Sequence, residues 1–188
     1  MKKNILMFLI ICLIFTAAFL NSNPSYAVVQ KIKVTSTDFE NKGFITDLNA
    51  CEFIGLNKSP QLSFNNASSD TQSFALIMFD PDAPEKNFVH WIVFNIPSDF
   101  AELQQDVPND ASIQNGTKQG TNGAGEIGYF GPCPPPGETH RYVFKAFALD
   151  AALTLEDGAT KKQLVRAMKG HIVGKSKIVG LYKNNTNN

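Results

Sequence analysis

QSFALIMFDPDAPEKNFVHWIVFNI, residues 72–96, sets two apolar runs on either side of a proline-bearing turn. Gln72–Asp80 and Phe88–Ile96 are rich in aliphatic, β-branched and aromatic residues and end in turn formers, the composition of core strands. Working outward, His140–Leu149 (HRYVFKAFAL) alternates in part, with Tyr142, Phe144, Ala146 and Ala148 on one parity, which gives that strand a core-facing side. His171–Tyr182 (HIVGKSKIVGLY) reads as a later strand interrupted by Gly174, and Gln30–Thr37 (QKIKVTST) as an opening strand. Most of the regular structure is therefore β. One helix stands apart: Thr160 to Gln163 has capping-box spacing, and Leu164, Val165 and Met168 form an apolar face that ends at Gly170. Met168 there is core filler. Pro97 to Gly137 is long and rich in Gly, Asn, Gln and Pro; such a stretch is functional or carries small elements of its own. Lys183–Asn188 is polar and expected to fray.

The chain has 188 residues, one domain's worth, and is 43% hydrophobic and 18% charged, which excludes wholesale disorder. There are no internal repeats and no linker that would divide it. Seventeen basic residues balance seventeen acidic ones, without the excess of a nucleic-acid binder. The first segment changes that balance. Met1–Asn4 carries two lysines, Ile5–Leu20 is almost unbroken aliphatic and aromatic sequence, and Ser25-Tyr26-Ala27 places small residues at a cleavage site. This is the layout of a secretory signal peptide; a retained membrane anchor, the rival reading, calls for a longer apolar run. Cys12 does not make a lipoprotein, because Ile11 before it is too bulky. Cleavage after Ala27 leaves residues 28–188 as one domain, with 15 basic and 17 acidic residues, a balance of −2. Export delivers it to the periplasm or the medium, with no membrane span left. The slight acidity speaks against nucleic acid or an anionic membrane as partner. Two cysteines remain, Cys51 and Cys133; an even pair in an oxidising compartment favours a disulfide, worth about 4 kcal/mol of chain entropy. Two separate buried thiols are the alternative.

Two constellations carry the candidate chemistry. Asp80-Pro81-Asp82-Ala83-Pro84 ends a strongly apolar strand, and His90-Trp91 follows on the next. The prolines fix φ and remove donors, so the carboxylates sit on a stiff turn. The second runs GYFGPCPPPGETHRY, Gly128–Tyr142, a Gly/Pro loop feeding a strand that opens on His140. Each residue also has a bland role. Asp82 forms a turn, Trp91 and Phe94 fill the core, and His171 satisfies a backbone carbonyl or the helix dipole. His90 alone in an apolar strand is a satisfied core histidine. Arg141 points away from His140 and makes a structural ion pair.

DPDAP, then HW with IVFNIP, then GYFGPCPPPGETHRY, resembles the phosphatidylethanolamine-binding protein family, in particular its bacterial Raf-kinase-inhibitor-like, YbhB/YbcL-like branch. The likeness extends to Lys58–Phe64 (KSPQLSF, with Phe64 where the pattern has Trp), to Asn122, Gly125, Gly128 and Tyr129, and to Val179–Tyr182, spanning nearly all of Lys31–Tyr182. It implies a mainly β fold: a large central antiparallel sheet packed with a smaller sheet, and few peripheral helices. It implies a small pocket for phosphate or phosphorylated head groups, built here from Asp80, Pro84, His90, Gly131, Pro132, His140 and Tyr142. Two departures stand out. The chain stops soon after Tyr182, without the C-terminal helix of eukaryotic members, and export separates it from cytoplasmic kinases.

Asp80 has the wrong charge to bind an anion itself. Its role is to hold His90 or His140 in a donating form, with the Tyr142 hydroxyl and loop amides as further donors. The first functional class is therefore a non-catalytic module binding a small anionic ligand, a phosphorylated group or a carboxylate, with no cofactor. An inhibitor or effector of a partner protein is the second, and the family resemblance also allows a homodimer. A hydrolase with a divalent metal among Asp80, Asp82, His90 and His140 is the third; no HExxH spacing or Gly-x-Ser-x-Gly elbow supports it.

Overall fold

The computed structural model describes residues 29–186. The expected leader, its cleavage point after Ala27 and the domain's first residue lie outside the described residues. The elements, in chain order, are β1 (Gln30–Lys31), β2 (Lys33–Thr35), β3 (Leu62–Asn65), β4 (Ser73–Asp80), β5 (Phe88–Pro97), β6 (Glu102–Leu103), β7 (Lys118–Gln119), β8 (Thr139–Leu149), α1 (Lys161–Ala167) and β9 (Ile172–Lys183). They form a six-stranded sheet, β1-β9-β8-β4-β5-β7, and a three-stranded sheet, β2-β3-β6. The large sheet is antiparallel except for β1, which lies parallel on the edge of β9.

The stretch 72–96 becomes the hairpin β4–β5, and every β4 residue except Phe79 is buried. A strand clad on both faces reads as a continuous apolar run rather than as an alternation. One face of the large sheet packs on the small sheet through residues such as Trp91, Tyr142 and Phe144, all fully buried. Phe64 of β3 stacks on Phe74 at 5.1 Å. On the other face, Leu164 of α1 and Met168, which caps its C-terminal end, cover Ile77, Phe94 and Phe147.

Four details differ from the sequence expectation. The opening strand divides at buried Ile32: β1 joins the large sheet and β2 the small one. Leu164 and Met168 lie one turn apart and enter the core, but Val165, about 100° further round the helix, is 48% exposed. His171 pairs with the Asp150 carboxylate at 2.8 Å rather than with a backbone carbonyl. The polar tail does not fray at its start, because Lys183 ends β9 and Asn184 is buried. The long stretch 97–137 does carry small elements, β6 and β7.

Candidate functional site

The site lies at the end of the large sheet where β4 finishes and β8 begins. Asp80 closes β4, and its Oδ1 accepts the backbone N–H groups of Asp82 (2.7 Å) and Ala83 (3.1 Å). This Asx-type turn is what an Asp followed by proline favours, and it leaves Oδ2 directed at β8. His140, the second residue of β8, places Nδ1 2.7 Å from that oxygen, with both side chains buried. On its other side His140 Nε2 stands 3.1 Å from Glu138 Oε2, whose side chain is 59% exposed. Burial works against an imidazolium here, but the bonds to Asp80 and Glu138 outweigh it and raise the His140 pKa. Both ring nitrogens then donate, one to each carboxylate.

His90, in β5, is also buried but has a different partner. Its Nδ1 lies 2.7 Å from the Phe130 carbonyl. Burial lowers its pKa, so the ring is neutral, with Nδ1–H donating and Nε2 carrying a lone pair. Tyr142 meets it edge-on at 5.1 Å, Phe88 edge-on at 5.0 Å, and Phe130 lies at 5.8 Å. Burial, and after it the negative charge of Asp80, push the Tyr142 pKa up, while the Cys133 backbone acts in the opposite direction. The Tyr142 hydroxyl is fully enclosed and makes no hydrogen bond.

The Gly/Pro loop is fastened from two sides. The Cys51–Cys133 disulfide forms, joining residues 82 apart in sequence, and Cys51 N–H donates to the Pro132 carbonyl at 3.0 Å. Gly131 packs so closely on this segment that a Cβ would overlap the Asn49 carbonyl and the Cys51 nitrogen. On the other side buried Asn184 donates to the Pro134 carbonyl (2.8 Å), and its own carbonyl accepts the Gly137 N–H (2.8 Å).

Of the residues singled out from sequence, Asp80, His90, His140, Tyr142, Gly131 and Pro132 are buried in this region, whereas Pro84 is exposed on the first turn. Asp80 selects His140; His90 is held by a carbonyl instead. The loop amides are less available than expected. Gly131 N–H is bound by Asn57 Oδ1 at 2.8 Å, Phe130 and Glu138 N–H by backbone carbonyls, and proline has none to give. Asp82 lies apart from the cluster, on the outer face, where Arg141 grips it through both carboxylate oxygens at 2.6 and 2.8 Å. Among the described residues no three His, Cys, Asp or Glu side chains surround a common metal position.

Sequence reasoning missed Glu138, Asn57 and Asn184. Glu138 was legible, since it stands two residues before His140 and β alternation puts both on one face. Asn57 sits at φ 52°, a conformation Asn tolerates, but nothing local pairs it with Gly131. Asn184 looked like any other tail residue.

A two-sheet β architecture with a buried Asp–His pair, a second histidine and an enclosed tyrosine beneath a Gly/Pro loop is the class of protein these observations define. Residues 35–183 match the phosphatidylethanolamine-binding protein family, and the chain belongs to it. Among its relatives, a protein of Methanothermobacter thermautotrophicus is 45% identical over 77% of this chain and 94% of its own length. One from Aquifex aeolicus is 43% identical over 81% and 88%; both are named UPF0098 protein. Among solved structures, a phosphatidylethanolamine-binding protein homolog of Chlamydia trachomatis superposes with a TM-score of 0.74 at 38% identity, over 82% of this chain and 99% of that one. Escherichia coli YbcL gives 0.75 at 28% identity, over 81% and 98%.

Proposed function

We propose that the chain is an exported, non-catalytic binding protein whose Asp80, His90, His140 and Tyr142 cluster receives a small anion: phosphate, a phosphorylated head group or a carboxylate. The observation that carries this is the Tyr142 hydroxyl, enclosed and without a partner. Such a group costs about 1–3 kcal/mol unless something accepts its proton, and a ligand oxygen would. The raised pKa of His140 supplies positive charge beside it. Its Nε2–H points at exposed Glu138, a resident carboxylate that an incoming anion would replace. Neutral His90 offers a lone pair, which suits a ligand bearing an O–H, such as a protonated phosphate. Absence of catalysis is supported by the chemistry present: Cys133 is tied in the disulfide, Tyr142 is held protonated, and Asp82 faces away. Export is supported by the leader pattern and the disulfide.

The test is an NMR titration with phosphate and with phosphoethanolamine. Both imidazole signals should move at millimolar ligand, and Glu138→Gln should tighten binding severalfold. Imidazole signals that stay still sink the reading.

A second reading, an effector of a partner protein, rests on the loop that the disulfide ties to the site. Phe53 is 86% and Leu56 65% exposed there, an apolar pair that water does not favour. A partner bound by wild type but lost by Phe53→Ser, with phosphate binding intact, would favour it.

A further inference from the structure

The outward face of the large sheet carries charge that its packing does not require. α1 covers only one end of that face, over Ile77 and Phe147. The remainder is laid out in cross-strand rows, since residues paired in register share a side. Lys31 stands opposite Lys175, and Lys177 opposite Lys145. The next row is Val179, Val143 and Phe79, and then comes Phe44, Leu181 and Arg141. Lys161 of α1 extends over the Phe79 ring, 5.1 Å from its centroid. It is close enough to Lys145 that, after burial, that charge helps lower its pKa.

Like charges directly opposite on a ladder destabilise a sheet. Among the described residues none of Lys31, Lys145, Lys161, Lys175 and Lys177 makes an ion pair. At the sheet edge a groove of about 530 Å³ is lined by three lysines, Lys31, Lys33 and Lys177, and a single acid, Glu40. Beside the cations lie half-buried Val143, Val179 and Leu181, and Phe44, which is 62% exposed.

We propose that this face docks on a bilayer rich in anionic phospholipid, the lysines meeting headgroup phosphates and Phe44 with Leu181 entering the interfacial layer. The net charge, close to zero, conceals this because it averages over the molecule, whereas an interface responds to the local field. Three features favour a bilayer over other anions. The apolar side chains among the cations find a matching layer in lipid and none along a nucleic-acid backbone. The cations apart from Asp82-bound Arg141 are lysines, point charges without the planar fork that reads phosphate bidentately. A second copy of the chain would set lysine against lysine.

The experiment is co-sedimentation of the full protein with vesicles of phosphatidylcholine alone, or of equal parts phosphatidylglycerol and phosphatidylcholine. Every variant keeps the same N-terminal segment, so that segment's own affinity for lipid cancels between them. Each lysine near an anionic surface is worth about 5-fold in partitioning. Lys145→Gln with Lys177→Gln should therefore cost about 25-fold on the anionic vesicles. Lys58→Gln with Lys118→Gln removes equal charge from lysines already paired with Asp106 and Asp157 and should change nothing. Binding should weaken as salt rises from about 50 to about 300 mM, where screening shortens its range. The Lys145/Lys177 variant should also melt slightly higher, because a repulsive row is relieved; a lower midpoint would make these lysines structural and overturn the proposal. So would anionic-vesicle binding of the Lys145/Lys177 variant equal to that of wild type, no binding to either vesicle type, or preference for duplex DNA over the anionic vesicles.

Discussion

Asp80 and Asp82 belong to one turn, and His140 and Arg141 are neighbours on one strand, yet the two ion pairs they form lie on opposite faces of the sheet. The inner pair is buried, its carboxylate also holds two backbone N–H groups, and its histidine is drawn between two acids. The outer pair has more hydrogen bonds, three from Arg141 to Asp82, but its arginine is largely in water. Contact number therefore misranks them. A bond's worth depends on what its loss leaves behind: inside, an unpaired buried charge, and outside, two solvated ions.

The largest expected effect acts on what encloses the inner side. Replacing Cys51 and Cys133 together by serine frees a loop of 82 residues and should cost about 4 kcal/mol in chemical denaturation. It also loosens the loop above Tyr142, so the imidazole shifts on phosphate addition should shrink; unchanged shifts would show that the disulfide is independent of the site. Next comes Asp80→Ala, which strands His140 and two backbone donors. A loss of about 3 kcal/mol is expected. A loss no larger than that of Asp82→Ala would erase the distinction between the pairs.

The two histidines sharpen the contrast by titrating in opposite directions. His140 has its pKa raised by Asp80 and Glu138 against burial, so its contribution is complete below the ordinary value of 6.5 and is lost as pH rises through the folded value. For His90 burial lowers the pKa, so stability is lost as pH falls below 6.5 and the unfolded chain takes up the proton first. Wild-type stability should therefore peak near neutrality. His140→Gln should flatten the alkaline limb alone and His90→Gln the acid limb alone, read from denaturation midpoints across pH. Loss of both limbs in either variant would mean that the histidines titrate as one unit.

How much of this was legible in the sequence follows from the range of the forces. The β4, β5, β8 and β9 strands were readable because apolar composition bounded by turns is a local signal, and the α1 cap likewise. Asp80, His90, His140 and Tyr142 were found through motif order. The choice of Asp80 for His140 over His90 was not, because it depends on the register that sets Phe79 beside Val143, a pairing of residues far apart in the chain. The division of the opening strand at Ile32 failed for the same reason: its alternation is continuous, but two different sheets claim its halves. Glu138, two residues from His140, needed only alternation to be seen. The lysine rows were invisible, since no single strand shows which cations its neighbours add.

The smallest effect is the most discriminating. Arg141 holds the Asp82 carboxyl down, its hydrogen bonds lowering the pKa from 3.8 to about 2. A depressed carboxylate stabilises the fold above its unfolded value and loses that contribution as pH falls from 3.8 toward about 2. Asp82→Asn should thus leave the midpoint at pH 7 within the scatter of repeated scans, because exposed pairs contribute little once side-chain entropy and solvent screening are counted. It should differ from wild type chiefly in the shape of the acid limb. The Asp80 turn survives this change, since the Asp82 N–H that binds Asp80 Oδ1 is backbone and remains. If Asp82→Asn also moves the His140 signal, the outer pair is coupled through the strand to the inner one, and the two faces of β8 cannot be treated as separate devices. If it does not, Arg141 serves only to fix the end of the turn from outside, and the anion chemistry belongs to the inner face alone.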